Sequence, residues 1–536
     1  MLHSYATSVE TPSIDTIGAE ATNTTVSADA TTATNAAAAR LERHAATPYA
    51  DALERFVARE PVQLMVPGHG GTDHGISSRL ADFLGERSLR LDVPMLIEGI
   101  DLGEDSPLDQ ALELAADAWG ARRTWFLTNG ASQANRTAAL AVRGLGEHIL
   151  SQRSAHSSFS DGVLLAGLTP SFVFPSVDAE HGMAHGVSPE ALDSALTTAE
   201  HENRAAAAVY IVSPSYFGSV SDVRGLSEVA HAHGVPLIVD GAWGPHFGFH
   251  PGLPESPARL GADLVVSSTH KLAGSLTQSA MLHLGNGPFA DQLEPLIERA
   301  FAMTASTSTS AILRASLDIA RHALATGETA IGRSVESAER FRELLRADDR
   351  FSVVSDHFDR FPDIVETDLL RVPIDVTGAG VSGHWLRQKL IDAGDLYFEM
   401  STATSIVAVI GAGKAPDVDA VVRALVEAVE SEDAVAERIA VANAAVFPAL
   451  PDPGTLRVTP REGFFGATEV VSAAEAVGRV SADTLAAYPP GIPNVMPGEE
   501  ITPQTVEFLQ AVAASPTGYV RGAIDADVTR FRVLQH

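Results

Sequence analysis

The chain has 536 residues, 45% of them hydrophobic and 20% charged, a composition suited to a globular protein with more than one core. Its 37 Lys+Arg against 68 Asp+Glu give a formal net charge of -31 at pH 7, a field that would repel a phosphate backbone and argues against nucleic acid as a partner. No stretch approaches the apolar length of a membrane span, the absence of cysteine excludes disulfides and thiolate metal sites, and the opening MLHSYATSVETPSID lacks the basic end and apolar run of a secretory signal, so the cytoplasm is the expected compartment.

Residues 1–45 are rich in Ala, Thr and Ser, with no apolar periodicity before AAAARLERH. Such a segment buries too little apolar surface to offset its ordering entropy, and disorder is expected there. A helix over residues 48–59 is expected next, followed by PVQLMVPGHGGTDHG, a proline- and glycine-imposed turn around His69. LDQALELAADAWG reads as an amphipathic helix closed by Gly120. TWFLTNGASQANRTAALAVRGL then reads strand, glycine turn, helix, and puts the amides of Ala131, Ser132 and Gln133 at a helix N-terminus, where free N–H groups and the helix dipole favour an anion.

His156 follows an apparent strand in ILSQRSAHSSFSDGVLLAG and precedes another helix. From residue 206 to residue 249 strand, loop, helix, strand and loop alternate, which argues for a parallel sheet with right-handed crossovers. Ser215 and Tyr216 follow the end of the first of these strands and are candidates to line the site. Asp240 ends the second, PLIVD, and Ala242 and Trp243 come next.

The run ADLVVSSTHKLAGSLTQSAMLHL, residues 262–284, is the centre of the reading. Its short β-branched strand delivers Ser267, Ser268, Thr269, His270 and Lys271 just past a carboxyl end, the edge at which ligands sit in open α/β sheets. A lysine flanked by hydroxyls and an imidazole suits a cofactor bearing an aldehyde and a phosphate, pyridoxal 5'-phosphate. That cofactor needs an acid at its ring nitrogen to act as an electron sink, and Asp240 is the acid on offer.

Beyond the hydroxyl-rich AFAMTASTSTSAILRASLDIAR, a charged helix over residues 334–346, strand-like LLRVPIDV, a helix through Ile391 and strand-like SIVAVIG form an α+β unit. PALPDPGTL breaks the chain before a last unit. The expected division is a disordered tail at 1–45, a large cofactor-binding domain at 46–330, a small α+β domain at 331–448 and a C-terminal domain at 449–536.

STHK with Thr277, Gln278 and Ser279 after it, VDGAWGPHFGFH at 239–250 and YPPGIPNVMPGE at 488–499 occur in one order that resembles the bacterial ornithine/lysine/arginine decarboxylases, over roughly residues 61–501. The resemblance implies an aminotransferase-like, fold-type I α/β fold: a mostly parallel central sheet in a large domain plus smaller α+β C-terminal domains. It also implies pyridoxal phosphate joined to Lys271, with Asp240 on the ring nitrogen, Ala242 close against the ring, and His156 stacked on one face, where a protonated imidazole would also pair with a substrate carboxylate. The phosphate is expected on Ala131, Ser132 and Gln133, with Ser268 and His270 in the same site, and Thr307 and Ser308 reaching across a dimer interface to the neighbour's phosphate. Glu499 or Glu500, with Trp243, is expected to meet the distal end of the substrate; His246 is commonly retained without a clear role. The chain departs from the family at Gly70, where lysine is common, in IDLGEDS, and at Thr309, where proline is usual.

The implied activity is decarboxylation of lysine, arginine or ornithine by a homodimer with interfacial active sites, a short form without the amino-terminal wing domain of longer members. Lys271, His270 or His156 would return a proton to Cα. An aminotransferase is the alternative, with Arg371 or Arg387 as the arginine for the substrate carboxylate. A non-catalytic homologue is opposed by the intact Lys271 and Asp240.

Overall fold

The computed structural model describes residues 39–443, 450–488, 491–515 and 518–535. Most of the stretch expected to be disordered, the expected boundary at 448/449 and Pro489 and Pro490 of the late loop lie outside the described residues. Residues 39–44, the ARLERH end of that stretch, are helical, and Thr47–His536 forms one compact unit.

That unit is built on a seven-stranded sheet. Its strands are β1 (Arg123–Leu127), β2 (His148–Gln152), β3 (Thr169–Val173), β4 (Val209–Val212), β5 (Leu237–Asp240), β6 (Leu264–Ser267) and β7 (Ala280–Leu284), in the spatial order β1-β7-β6-β5-β4-β2-β3. All run parallel except β7, which is antiparallel to both its neighbours. The expected aminotransferase-like architecture, with its mostly parallel central sheet, is the one found.

VYIV, LIVD and LVVS are buried at every position because helices cover both faces of the sheet, which is why these strands read as continuous apolar runs. Helices α1 (Pro107–Trp119), α2 (Gly130–Val142), α3 (Ser157–Ala166), α4 (Pro189–His201) and α5 (Val223–Ala232) supply the cover. Tyr210, Val212, Ile238, Leu264 and Val266 pack with Ala134, Ala138, Phe159 and Val163 of α2 and α3. Val209, Ile211, Leu237, Val239 and Val265 pack with Leu192, Leu196, Leu226 and Ala230 of α4 and α5. Each such aliphatic side chain withdrawn from water is worth ~1.5–3 kcal/mol. Helix α1 starts on a reciprocal Ser106–Asp109 capping box and ends at Gly120, whose φ of 74° is the left-handed cap expected for a glycine.

Register sets the working edge. Val212 lies opposite Asp240, and Asp240 opposite Val266, so β4, β5 and β6 end level and release their loops side by side. A second, antiparallel sheet has the order β8-β9-β11-β10, from β8 (Ser352–Val353), β9 (Arg371–Asp375), β10 (Met400–Ser401) and β11 (Ser405–Val409). Helix α6 (Glu328–Arg346) joins the two cores: Ile331 and Val335 pack with α1 and Met281, while Phe341 and Leu345 pack with Val372, Ile374 and Ile406. The expected boundary near residue 331 therefore falls inside a continuous helix. A third core, with Val495, Leu509, Phe531 and Val533, closes the carboxyl-terminal region.

Candidate active site

At the level strand ends the chain encloses a cavity of about 360 Å³. Ten residues expected from the sequence line it: Ala131, Ser132, His156, Tyr216, Asp240, Ala242, Trp243, Ser268, His270 and Lys271. Gln133 is buried beside it without lining it. Thr307 and Ser308 are exposed on a loop outside it, where Ser308 bonds only Ser306. Glu499 lies elsewhere, buried against Arg153.

Asp240 is held by three donors. Its Oδ2 accepts from the Tyr210 hydroxyl at 2.5 Å and from Asn135 Nδ2 at 3.1 Å, and its Oδ1 accepts the Ala242 N–H at 3.1 Å. Burial, and then the neighbouring carboxylate, push the Tyr210 phenol well above its ordinary range, so it stays protonated and donates. Phe159 stacks on the Tyr210 ring at 3.5 Å and fixes its plane.

Asn135 Nδ2 also donates to Ser158 Oγ at 3.0 Å, and that hydroxyl lies 2.8 Å from His156 Nδ1. The same ring nitrogen accepts the Ser158 N–H at 3.1 Å and so caps α3. Its proton is therefore on Nε2. Burial lowers the His156 proton affinity to about 4, with Asp240 opposing and Lys271 assisting. So lowered, the imidazole rests neutral near pH 7. Capping and lining are both its work.

Lys271 follows β6 in the short helix Thr269–Leu272, with its Nζ 3.6 Å from the centroid of the Trp243 ring. Burial first, and the nearby Arg371 second, lower its proton affinity to about 7, while Asp240 and Glu399 act the other way. The His270 Nδ1–H donates to the Ser279 carbonyl at 3.0 Å, and burial lowers this imidazole too. Of the two arginines considered for a substrate carboxylate, Arg387 donates to the Phe398 carbonyl at 3.0 Å and Arg371 lies wholly buried against Trp243; neither lines the cavity.

The residues present fit pyridoxal phosphate. Gly130, Ala131 and Ser132 line the cavity at the start of α2, a helix of 13 residues whose Asn129 N-cap supplies no side-chain acceptor, so the anion site is left open. Ser268 and His270 add donors beside it. The buried Nε1 of Trp243 has no partner among the described residues, and it belongs to a lining residue able to meet a polar ring substituent. Among the described residues no cluster of His, Cys, Asp and Glu is suited to a metal ion.

The pattern of the Orn/Lys/Arg decarboxylase major domain matches residues 47–368, and that of the Orn/Lys/Arg decarboxylase C-terminal domain matches residues 461–518. The chain belongs to the Orn/Lys/Arg decarboxylase family. This family member is 33% identical over 499 residues to the arginine decarboxylase of Bacillus subtilis (strain 168), a match covering 91% of this chain and 98% of that one. It is 31% identical over 497 residues to the arginine decarboxylase of Bacillus anthracis, covering 91% and 97%. Among solved structures, a lysine decarboxylase of Francisella novicida superposes with a TM-score of 0.75 at 20% identity, over 91% of this chain and 81% of that one, a likeness of fold.

Several residues of this decarboxylase-family site were not read from the sequence. Asn135, Ser158, Glu399 and Met400 line the cavity, and Tyr210 supports Asp240 from the strand behind it. Tyr210 carries a usable signal: in VYIV it shares the α2-facing side of its strand with Val212, two residues on, which pairs with Asp240. Glu399 and Met400 come from the second sheet and carry no local signal.

Proposed function

We propose that this chain decarboxylates arginine, using pyridoxal 5'-phosphate anchored at Lys271, as a cytoplasmic homodimer. The observation that carries the reading is the pairing in one cavity of a lysine of near-neutral proton affinity with a strand-end aspartate fixed by three donors. The names of the arginine decarboxylases matched over almost their full length support arginine over lysine and ornithine.

When bound, the cofactor supplies an electron sink for the bond broken at Cα. The chain's residues do the rest. Lys271 offers an amine that is substantially unprotonated at neutral pH, and the same Nζ is placed to hold a proton for Cα. Asp240 keeps a proton at the ring nitrogen, and Tyr210 and Asn135 stop it from turning away. The start of α2, with Ser268 and His270, takes the phosphate. The neutral His156 ring covers one side of the cavity and excludes water. Among the described residues the lining holds no arginine, the residue type with which an aminotransferase anchors the α-carboxylate. Glu399, an acid of the lining, is suited to a guanidinium at the far end of the substrate.

Two features support the dimer. Val62, Leu64, Ile76 and Phe83 are 89%, 96%, 98% and 73% exposed, an apolar patch unusual for an isolated chain. Thr307 and Ser308 stand outside the cavity of their own chain, as residues serving a neighbour would.

The test is to supply purified protein with arginine, lysine or ornithine and measure released carbon dioxide, amine product and keto acid. Arginine should give carbon dioxide and agmatine in equal amounts. Keto acid without carbon dioxide would overturn the reading.

A further inference from the structure

Arg371 opens β9 and is wholly buried. One terminal nitrogen donates to the Tyr216 carbonyl, but Nε and Nη2 meet no acceptor among the described residues. A buried guanidinium so poorly served is costly, and its retention calls for a use.

Its surroundings fix it in place. Arg342 donates to the carbonyls of Leu369 and Arg371, and the Asp368 N–H donates to the Gly218 carbonyl at 2.8 Å. Asp368 is also wholly buried; its Oδ1 accepts from His246 Nε2 at 3.0 Å and from the Leu370 N–H at 3.1 Å. Gly218 is where the large domain comes close: a Cβ added there would lie 3.1 Å from Arg371 Cβ. His246, Asp368 and Arg371 are thus one buried charged group joining the loop after β5 to the second sheet.

That group ends on Trp243. The Arg371 Cζ lies 3.6 Å from the indole centroid, the same distance as Lys271 Nζ. Trp243 is thus the side chain that both the Lys271 amine and the Arg371 guanidinium lie over, which brings the two basic groups within strong electrostatic reach of each other.

We propose that Arg371 is a positioning residue held against Trp243, its buried charge beside the indole repelling a second charge on the amine that shares that ring, so that Lys271 meets its carbonyl partner as a neutral amine. The inference rests on Lys271 being the cofactor-anchoring lysine. Arg371 stands second only to burial among the causes that lower Lys271, and remains a cation at neutral pH although burial brings it down to about 10. Other groups facing the amine are Asp240 and Glu399, which favour its charge, and the imidazoles of His156 and His270, both lowered by burial. His246 takes a role here as the partner that orients Asp368, the counter-charge that limits the effect of Arg371.

Lys271, Lys389 and Lys414 are the only lysines of the chain, so the titration can be read residue by residue. The full-length chain, freed of carbonyl ligands by hydroxylamine and dialysis, is labelled with trace acetic anhydride across pH 5.5–11, and acetylation of each lysine is quantified by peptide mass spectrometry. Lys271 should reach half its limiting reactivity near pH 7 in the parent protein and in Arg371→Lys, and at least one pH unit higher in Arg371→Met, with Lys389 and Lys414 unmoved. Asp368→Asn should move Lys271 in the opposite direction, which keeps the test decisive if Arg371→Met does not fold. A Lys271 midpoint near 10 in the parent protein overturns the proposal; so does a midpoint unchanged in Arg371→Met, or one raised by Asp368→Asn. Failure of the cofactor assignment shows separately, as a borohydride-reduced cofactor label on a residue other than Lys271.

Discussion

Glu499 Oε2 lies 3.1 Å from Arg153 Nη2, with both side chains buried. The same oxygen accepts the Met496 N–H at 2.9 Å, Arg153 Nη1 donates to the Pro493 carbonyl at 2.8 Å, and the Ser157 N–H donates to the Gly491 carbonyl at 3.3 Å. The late proline-rich loop is thereby fastened to the segment that carries His156. Glu499→Ala leaves a buried arginine without its counter-charge and should lower stability by about 3–5 kcal/mol, read by urea denaturation. If Glu499 instead met a substrate guanidinium, the loss would appear in KM with stability unchanged.

The aspartate at the end of β5 depends on its supports. Tyr210→Phe removes a hydrogen bond to a carboxylate, an interaction worth about 1.5–3 kcal/mol, and should lower kcat/KM by roughly ten- to a hundred-fold while the cofactor still binds. Asp240→Asn keeps the shape without the charge and should cost more than Tyr210→Phe. Equal activity in Tyr210→Phe and parent would show that the support is idle.

His283 makes stability sensitive to acid. Its Nδ1 lies 2.8 Å from Thr124 Oγ1, its ring stacks on Trp119, and burial alone lowers its proton affinity to about 3 from an ordinary 6.5. Because the folded value is the lower one, the unfolded chain binds more protons between pH 3 and 6.5, and stability falls as pH drops through that window. The full span is worth about 5 kcal/mol as an upper bound. His283→Asn should flatten the dependence of unfolding free energy on pH across the window, whatever its effect at pH 8; an unaltered slope would exclude this histidine as the source.

Shared sites make a mixing experiment informative. Lys271→Ala and Ser308→Asp should each be inactive alone, yet mixed after mild dissociation they should recover about a quarter of parental activity, because half the dimers carry both defects in one site and none in the other. No recovery would place each complete site within one chain.

Legibility followed distance from the strand ends. Lys271, Asp240, Ala242 and Trp243 each sit at or within four residues of such an end, so a short apolar run fixes their address. Asn135 and Ser158 lie within helices, and their meeting with Asp240 depends on which face α2 and α3 turn to the sheet, a matter of packing that periodicity leaves open. Arg371 and Glu399 belong to another core about a hundred residues later, and nothing local connects them to Lys271. The substrate-facing role expected of Glu499 follows from the place of the late loop in the resembling family, and its pairing with Arg153, 346 residues earlier, leaves no mark in the local sequence. The helix expected from residue 334 starts at Glu328, since its first turn is held by packing rather than by any sequence cap.

Helix α6, embedded at one end beside α1 and at the other beneath the second sheet, ties those two bodies together like an axle. Met400 and Glu399 hang from the far body, so the cavity wall proposed to meet the substrate's far end is placed by packing remote from the cavity. Loosening Phe341 or Leu345, deep in that body, should therefore blur the choice between long and short amino acids before it harms the chemistry at Lys271.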